Sequence, residues 1–452
     1  MDGRKLPCQI VTSPPPKGCR KATWGANRAG YTRSVAVHQL STAATAGEFA
    51  NLSGVRETLQ WFTREKQWVN DIHLQLCRIP APTFHEQQRA EWVLGQFRAL
   101  GWHATLDREG NVLAALERTP EGPLVAVTAH LDTVLAPRTK DDITVGPDGD
   151  LRGPGVSDNG AGLAGLLALA RAIKSGTDPD DLRGDLWNRL LLVANTGEEG
   201  EGNLRGMRYL CSQPELATRI QAFLVLDGAV VDHVTTQAIG SRRFEVTFTG
   251  VGGHSWSDFG VGNPVHALSR AMAAFVDDNP LDPKGTPRTA INCGVIEGGS
   301  GVNVIPASAR AKVDIRSEDP LRIESLSAAL DRAVARSEDR ENSRALGGRV
   351  TARVREIGNR PAGRLAESSP LLATLRSVDA HLGIRARADA ASTDANIPLS
   401  MGIPAISIGA GGSGGGAHTA GEWYQPQGRD LGLKRVLLTA AMLLKSSQKP
   451  SL

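Results

Sequence analysis

The sequence predicts an α/β fold: an α/β/α domain built on a mixed sheet, with a smaller domain of ferredoxin-like βαββαβ order inserted into it. Three observations predict it. Residues 124–128, 190–194, 223–226 and 405–408 are short, almost wholly apolar runs with the length of buried strands. Helical stretches such as 162–173 lie between some of them, and buried strands alternating with helices indicate a parallel or mixed sheet covered on both faces. Residues 241–358 break that rhythm, and the first pattern resumes after them.

At 452 residues the chain exceeds one ordinary domain, so two are expected. Residues 1–48 contain Pro14-Pro15-Pro16 and little apolar periodicity, and are expected to be disordered or to lie upstream of the true start. The larger domain takes residues 49–240 and 359–448. Within it, residues 86–100 have the spacing of an amphipathic helix stopped by Gly101. In the insertion, residues 243–249 alternate as a half-exposed strand with Phe244, Val246 and Phe248 on one face. Asn263 caps a helix that begins at Pro264, and Val265, Leu268, Met272 and Phe275 follow helical spacing. Strands at 289–296 and 309–316, a helix at about 320–336 and a strand at 349–357 complete the βαββαβ order. Ser369 and Pro370 then open a new helix.

Composition bounds the function. Residues 1–50 carry a net charge of +5, so the rest of the chain carries −2 of the +3 total. A near-neutral body argues against nucleic acid as a partner, and the basic tail is expected to be solvated. No apolar run approaches the ~20 residues of a membrane span, and the N-terminus lacks the apolar core of a signal peptide. The five cysteines are scattered without a CxxC pair, which fits reduced thiols rather than a disulfide framework. A cytoplasmic protein without membrane contact is expected.

The chemistry lies where the strands end. Residues 123–129 lead into His130-Leu131-Asp132, residues 189–195 into Thr196-Gly197-Glu198-Glu199, and residues 222–226 into Asp227. Residues 403–409 lead through a glycine loop to His418. In open α/β sheets, ligands bind beyond the carboxyl ends of strands, so these residues converge on one site. Asp158, in Gly155-Val156-Ser157-Asp158-Asn159, adds a carboxylate just before a helix. Imidazoles and carboxylates without thiolates suit zinc, with cobalt or manganese as substitutes. Two ions about 3.5–4 Å apart require a bridging carboxylate and separate terminal ligands. The set provides them: Asp158 bridges, His130 and Asp227 hold one ion, and Glu199 and His418 hold the other. Asp132, two residues after His130, is placed to orient its imidazole. Glu198 is left as general base for the bridging water. Singly, each has a plainer reading, since a strand-end His or Asp is commonly a polar cap and an acidic pair a solvated turn. Five at five matching places argue against coincidence.

The segments AHLDTV, GVSDNGAG, NTGEEG, VLDGA, GVGGHS, GVNVIP, DIRSEDP and GGGAHT follow one another along the chain. With them the sequence resembles the dizinc exopeptidases and deacylases that include peptidase T, carboxypeptidase G and aminoacylase, over most of residues 60–445. The resemblance implies a catalytic α/β domain, a ferredoxin-like lid that often dimerises, and the metal and base roles given above. It adds His254 as an oxyanion stabiliser, commonly supplied by a partner subunit, and Asn303 and Arg316 as holders of the substrate's polar ends. By themselves His254 reads as a surface histidine and Arg316 as a structural arginine at a strand end. Relatives with Asp at the position of Asp227 resemble aminopeptidases, and those with Glu resemble carboxypeptidases and deacylases. Ser392-Thr393-Asp394-Ala395-Asn396 also looks like peptidase T, with Asp394 a candidate contact for the substrate's amino end. The resemblance thus implies a homodimer with two Zn2+ ions that removes the N-terminal residue of short peptides. An N-acyl amino acid deacylase or amidohydrolase of the same family is the alternative.

Two other motifs are rejected. Gly160–Gly165 matches GxGxxG, but the preceding RGPGVSDN cannot form the buried strand that a dinucleotide site requires. These glycines are expected to let a helix pack closely on the sheet. Gly411–Gly415 matches GxSxG, but leads into more glycine and His418 instead of the helix of a nucleophile elbow.

Overall fold

In the computed structural model, which describes residues 45–175 and 186–446, the main sheet has nine strands. Six come first: β1 (His103–Leu106), β2 (Val112–Ala115), β3 (Leu124–His130), β4 (Leu190–Asn195), β5 (Ile220–Leu226) and β6 (His233–Ala238). The inserted domain supplies β7 (Gly240–Thr249), β8 (Thr289–Gly298), β9 (Ser308–Ser317) and β10 (Thr351–Arg360), so its first and last strands run past the expected bounds of 241–358, to Gly240 and Arg360. The main sheet is completed by β11 (Gly363–Arg364), β12 (Arg387–Ala391) and β13 (Ala405–Ile408). Its order is β1-β2-β4-β3-β5-β13-β6-β11, with β12 beside β6.

The parallel core is β4-β3-β5-β13. These strands contain the four apolar runs of the sequence, and every residue of β3, β4 and β13 is buried. Parallel neighbours need crossovers, and helices Gly160–Ser175 and Arg429–Ser446 both pack on β3. The glycines of the first helix do what the sequence suggests. A Cβ on Gly162 would come within 2.9 Å of the Leu226 carbonyl at the end of β5. Among the described residues, no helix is long and apolar enough to cross a membrane.

In the insertion the order is β8-β9-β7-β10, all antiparallel, so the first strand is central, as in a ferredoxin-like sheet. Helices Pro264–Asp277 and Pro320–Asn342 join Phe244, Val246, Phe248, Val313 and Ile315 in one core. The Asn263 side chain caps the first helix, accepting from the Val265 N–H at 2.9 Å. The second helix runs to Asn342, past the expected end near 336, because its last turns are anchored by polar groups. Ser337 Oγ donates to the Ala267 carbonyl at 2.6 Å, and the Glu341 carboxylate accepts from the Asn263 N–H at 2.8 Å. An apolar pattern does not register such contacts.

The expected disordered segment 1–48 is too long at its C-terminal end. Thr45 and Glu48 form a capping box on helix Ala46–Ala50, whose Phe49 is buried; residues 1–44 lie outside the described residues.

Across the core, Arg435 is fully buried and makes a bidentate pair with Asp379, both contacts at 2.6 Å. Asp379→Ala strands that guanidinium and should lower unfolding stability by roughly 3–5 kcal/mol. Urea unfolding followed by far-UV circular dichroism reads this, and a loss under about 1 kcal/mol would contradict the pairing.

Candidate metal centre

The strand ends bring the acids and imidazoles together. His130 closes β3, and its Nδ1 lies 2.9 Å from the Asp132 carbonyl oxygen. Donating there fixes the tautomer and turns Nε2 toward Asp158 Oδ1, at 3.0 Å. Asp158 Oδ2 lies 3.1 Å from His418 Nε2, which is also 3.0 Å from Glu199 Oε1. Asp158 therefore sits between two imidazoles, one oxygen facing each. Asp227 Oδ1 is 3.9 Å from His130 Nε2. The five residues are gathered in one place. His418 rides a loop between the short strands Ser413–Gly415 and Trp423–Gln425, with a left-handed backbone at φ 64°.

Asp132 does more than orient the imidazole. Its carboxylate is 3.6 Å from His130 Nδ1, farther than its own carbonyl. That carboxylate instead accepts the N–H groups of Glu198 and Glu199 and the Thr83 hydroxyl, each at 3.0 Å. It holds the backbone of the acid pair, and the imidazole is oriented through the main chain.

Two residues with no local sequence signal complete the surroundings. Arg360, the last residue of β10, is buried and places Nη1 3.0 Å from Glu198 Oε1, while Nη2 donates to the Glu198 carbonyl. Glu422 is buried beside the Asp158 loop, whose N–H groups donate to its carboxylate. Each bond spans more than a hundred residues of chain, so only the fold reveals it.

The charges act on one another strongly. Burial opposes the charged form of Asp158, but hydrogen bonds from His130 and His418 outweigh it and hold its carboxyl below the usual range. Burial and the repulsion of Asp158 push Asp227 up to about 7. Burial likewise lifts Glu198 well above the usual glutamate range, with Arg360 opposing. Hydrogen bonds to Asp158 and Glu199 raise His418 to about 10.

Asp394 is brought close but not into reach. It has no exposed surface and accepts from Asn195 Nδ2 at 2.6 Å, so in this arrangement no substrate atom touches it. The three lid residues are not gathered at the cluster within this chain. His254 is exposed on the two-stranded ribbon Gly253–His254/Val304–Ile305, and Asn303, also exposed, adjoins it through the Ser255 N–H to Asn303 carbonyl bond. Arg316 lies exposed on β9, its Nε 2.6 Å from Asp314 Oδ2.

The donor set fits a divalent metal. Ligand atoms of His130, Asp158 and Glu199 all lie within 4.8 Å of one another. All are nitrogen or oxygen, and His130 is oriented through its other ring nitrogen, as metal-bound histidines are.

Comparison with known proteins finds peptidase relatives. Residues 237–341 match the family model of the peptidase dimerisation domain, and residues 111–250 that of peptidase family M28. The chain is 30% identical over 241 residues to the cytosol non-specific dipeptidase of Escherichia coli, covering 47% of this chain and 48% of that protein. It therefore spans about half the length of that relative. It is 26% identical to a probable carboxypeptidase of Ajellomyces dermatitidis, covering 64% and 69% of the two chains. A tripeptidase structure from Staphylococcus aureus shares the fold with a TM-score of 0.67 at 21% identity, over 84% of this chain and 99% of that one.

Raised to about 10, His418 is protonated at pH 7, and an imidazolium is no ligand. Zinc titrated into metal-free protein at pH 7 should therefore release protons, and His418→Ala should release fewer. Calorimetry in two buffers of different ionisation enthalpy measures the number. Identical heats in both would contradict this arrangement.

Proposed function

We infer that this chain belongs with the dizinc metallopeptidases and deacylases and is a zinc-dependent exopeptidase that removes the N-terminal residue of short peptides. The observation that carries the reading is Asp158 placed between His130 and His418, one oxygen facing each. In this reading Asp158 would be shared between two ions, with His130 and Asp227 holding one and Glu199 and His418 holding the other. The bound pair supplies Lewis acidity, lowering the pKa of a water toward ~7 and polarising the scissile carbonyl.

The protein's own part is to position and to move a proton. Glu198 takes the proton of the attacking water and passes it to the leaving amine nitrogen. Arg360 grips Oε1 and the main-chain carbonyl of Glu198, and Asp132 holds its N–H, so the carboxyl keeps one orientation through both transfers. Burial lifts its proton affinity, which suits a group that must both accept and return a proton.

Short peptides are the substrate class that the dipeptidase and tripeptidase names support. Asp227, where carboxypeptidase-like relatives resemble one another by a Glu, favours the aminopeptidase reading. In this reading His254 acts across a homodimer, and Asn303 beside it helps hold a polar end of the substrate. Their exposed ribbon, flanked by Trp256 and Phe259 at 85% exposure each, supports a partner surface there. Arg316 would hold a substrate carboxylate by exchanging its contact with Asp314. A cytoplasmic location belongs to the same reading, supported by the free thiols of Cys77, Cys211 and Cys293.

Glu198→Gln should lower kcat by about 10²–10⁴-fold with zinc content unchanged, measured by turnover assays beside metal analysis. Substantial residual activity would remove Glu198 from the base role. A panel of dipeptides, tripeptides and N-acetyl amino acids, with chelator and with zinc restored, tests the substrate class. Cleavage of the N-acetyl compounds alone would make the protein a deacylase.

A further inference from the structure

We propose that Glu422 is a positioning residue that fixes Asp158 and His418 at one spacing and so sets how tightly the centre binds metal. This rests on the metal-centre reading above. Glu422 stands four residues beyond His418, immediately before the strand Trp423–Gln425, and is 2% exposed. Its Oε2 accepts the Gly155 N–H at 2.7 Å. Its Oε1 accepts the N–H of Ser157 at 2.7 Å and of Asp158 itself at 2.8 Å. Its main-chain carbonyl accepts from Gly153 at 2.9 Å. One side chain thus gathers three backbone donors of the loop that carries Asp158, and does so from the loop that carries His418.

The two loops are fastened around this point. Trp423 and Tyr424 pair with Arg152 and Leu151 in a small antiparallel sheet, which leads on one side to Glu422 and on the other to Gly155–Asp158. A Cβ on Gly414 would lie 2.2 Å from Ser157 Oγ, so the loops are in contact before Glu422 ties them. On the same segment, His73 Nε2 bonds the Val156 carbonyl at 2.8 Å, and Arg429 Nη2 holds the other ring nitrogen at 2.7 Å. The stretch 155–158 is therefore held through both its N–H groups and a carbonyl.

The chemistry explains why a carboxylate is required. Three converging N–H groups are satisfied by two acceptor oxygens, and charge on the acceptor strengthens each bond. An amide offers one oxygen, and its NH2 would face a backbone donor, leaving at least one buried N–H unpaired. The loop would shift, carrying Asp158 away from His418. Partners that orient metal ligands typically govern affinity by about 10–100-fold.

The test is zinc affinity of the full chain, measured by chelator competition, for wild type, Glu422→Gln and Glu341→Gln. Glu341 is a buried lid carboxylate that also accepts a backbone N–H, that of Asn263, and serves as the control for lost buried bonding. Glu422→Gln should bind zinc about 10–100-fold more weakly, recovering wild-type stoichiometry and most of kcat at saturating zinc. Glu341→Gln should lower thermal stability with zinc affinity unchanged. If Glu422→Gln does not fold, Glu422→Asp, which keeps the charge but is too short for all three bonds, is measured in the same way. A folded Glu422 variant with wild-type zinc affinity overturns the proposal, as does equal weakening in the Glu341 control. Absence of zinc binding by the wild-type protein would remove the metal-centre reading, and this inference with it.

Discussion

The structure is organised around a concentration of like charge out of water. Asp158, Glu198, Glu199 and Asp227 meet beyond the carboxyl ends of β3, β4 and β5, with Asp394 buried nearby. Each ionised carboxylate removed from water costs several kcal/mol unless it is paired and hydrogen-bonded. Much of the surrounding detail answers that cost. His130 and His418 face Asp158, Arg360 faces Glu198, and Asp132 is covered by two N–H groups and a hydroxyl. A cluster so dominated by oxygen and imidazole is best completed by cations, which is the physical root of the enzymatic reading.

The lid takes part in this arrangement. Beyond Arg360, Lys312 on β9 pairs with Glu201 at 2.5 Å, Arg243 on β7 donates to the Gly200 carbonyl, and Arg208 donates to the Asn359 carbonyl on β10. Three of these four contacts fall at or just after the Glu198-Glu199 pair. The position of the inserted sheet is therefore felt at the acids that the proposed chemistry uses.

Much of this was legible in the sequence for definite reasons. Strands covered on both faces leave continuous apolar runs, so the core of β3, β4, β5 and β13 could be read directly. Ligands at strand ends are marked by the abrupt change from apolar to acidic or imidazole residues, as at Ala129-His130 and Leu226-Asp227. Asn263-Pro264 announced a helix start that the structure retains. What escaped depends on contacts between distant segments. Arg360 lies in GNRPAG and Glu422 in AGEWYQ, neither with a periodic signal. The partly exposed strands β1, β6 and β12 lack a clean alternation. The burial of Asp394 is set by neighbours that the local sequence does not name, and the bonds of the Asp132 carboxylate to Thr83 and to the Glu198 and Glu199 N–H groups join segments far apart in the chain.

Arg360 gives the molecule an unexpected rigidity as a modular object. The inserted domain has its own core and resembles a cassette that could be exchanged between relatives. Yet the residue that ends its last strand is the counterion of a buried acid in the host domain. A chimera carrying a foreign lid would inherit whatever side chain stands at that junction, and anything but a cation there would leave Glu198 unbalanced. Recombination within this architecture is thus constrained by the charge at this junction as well as by the fit of helices.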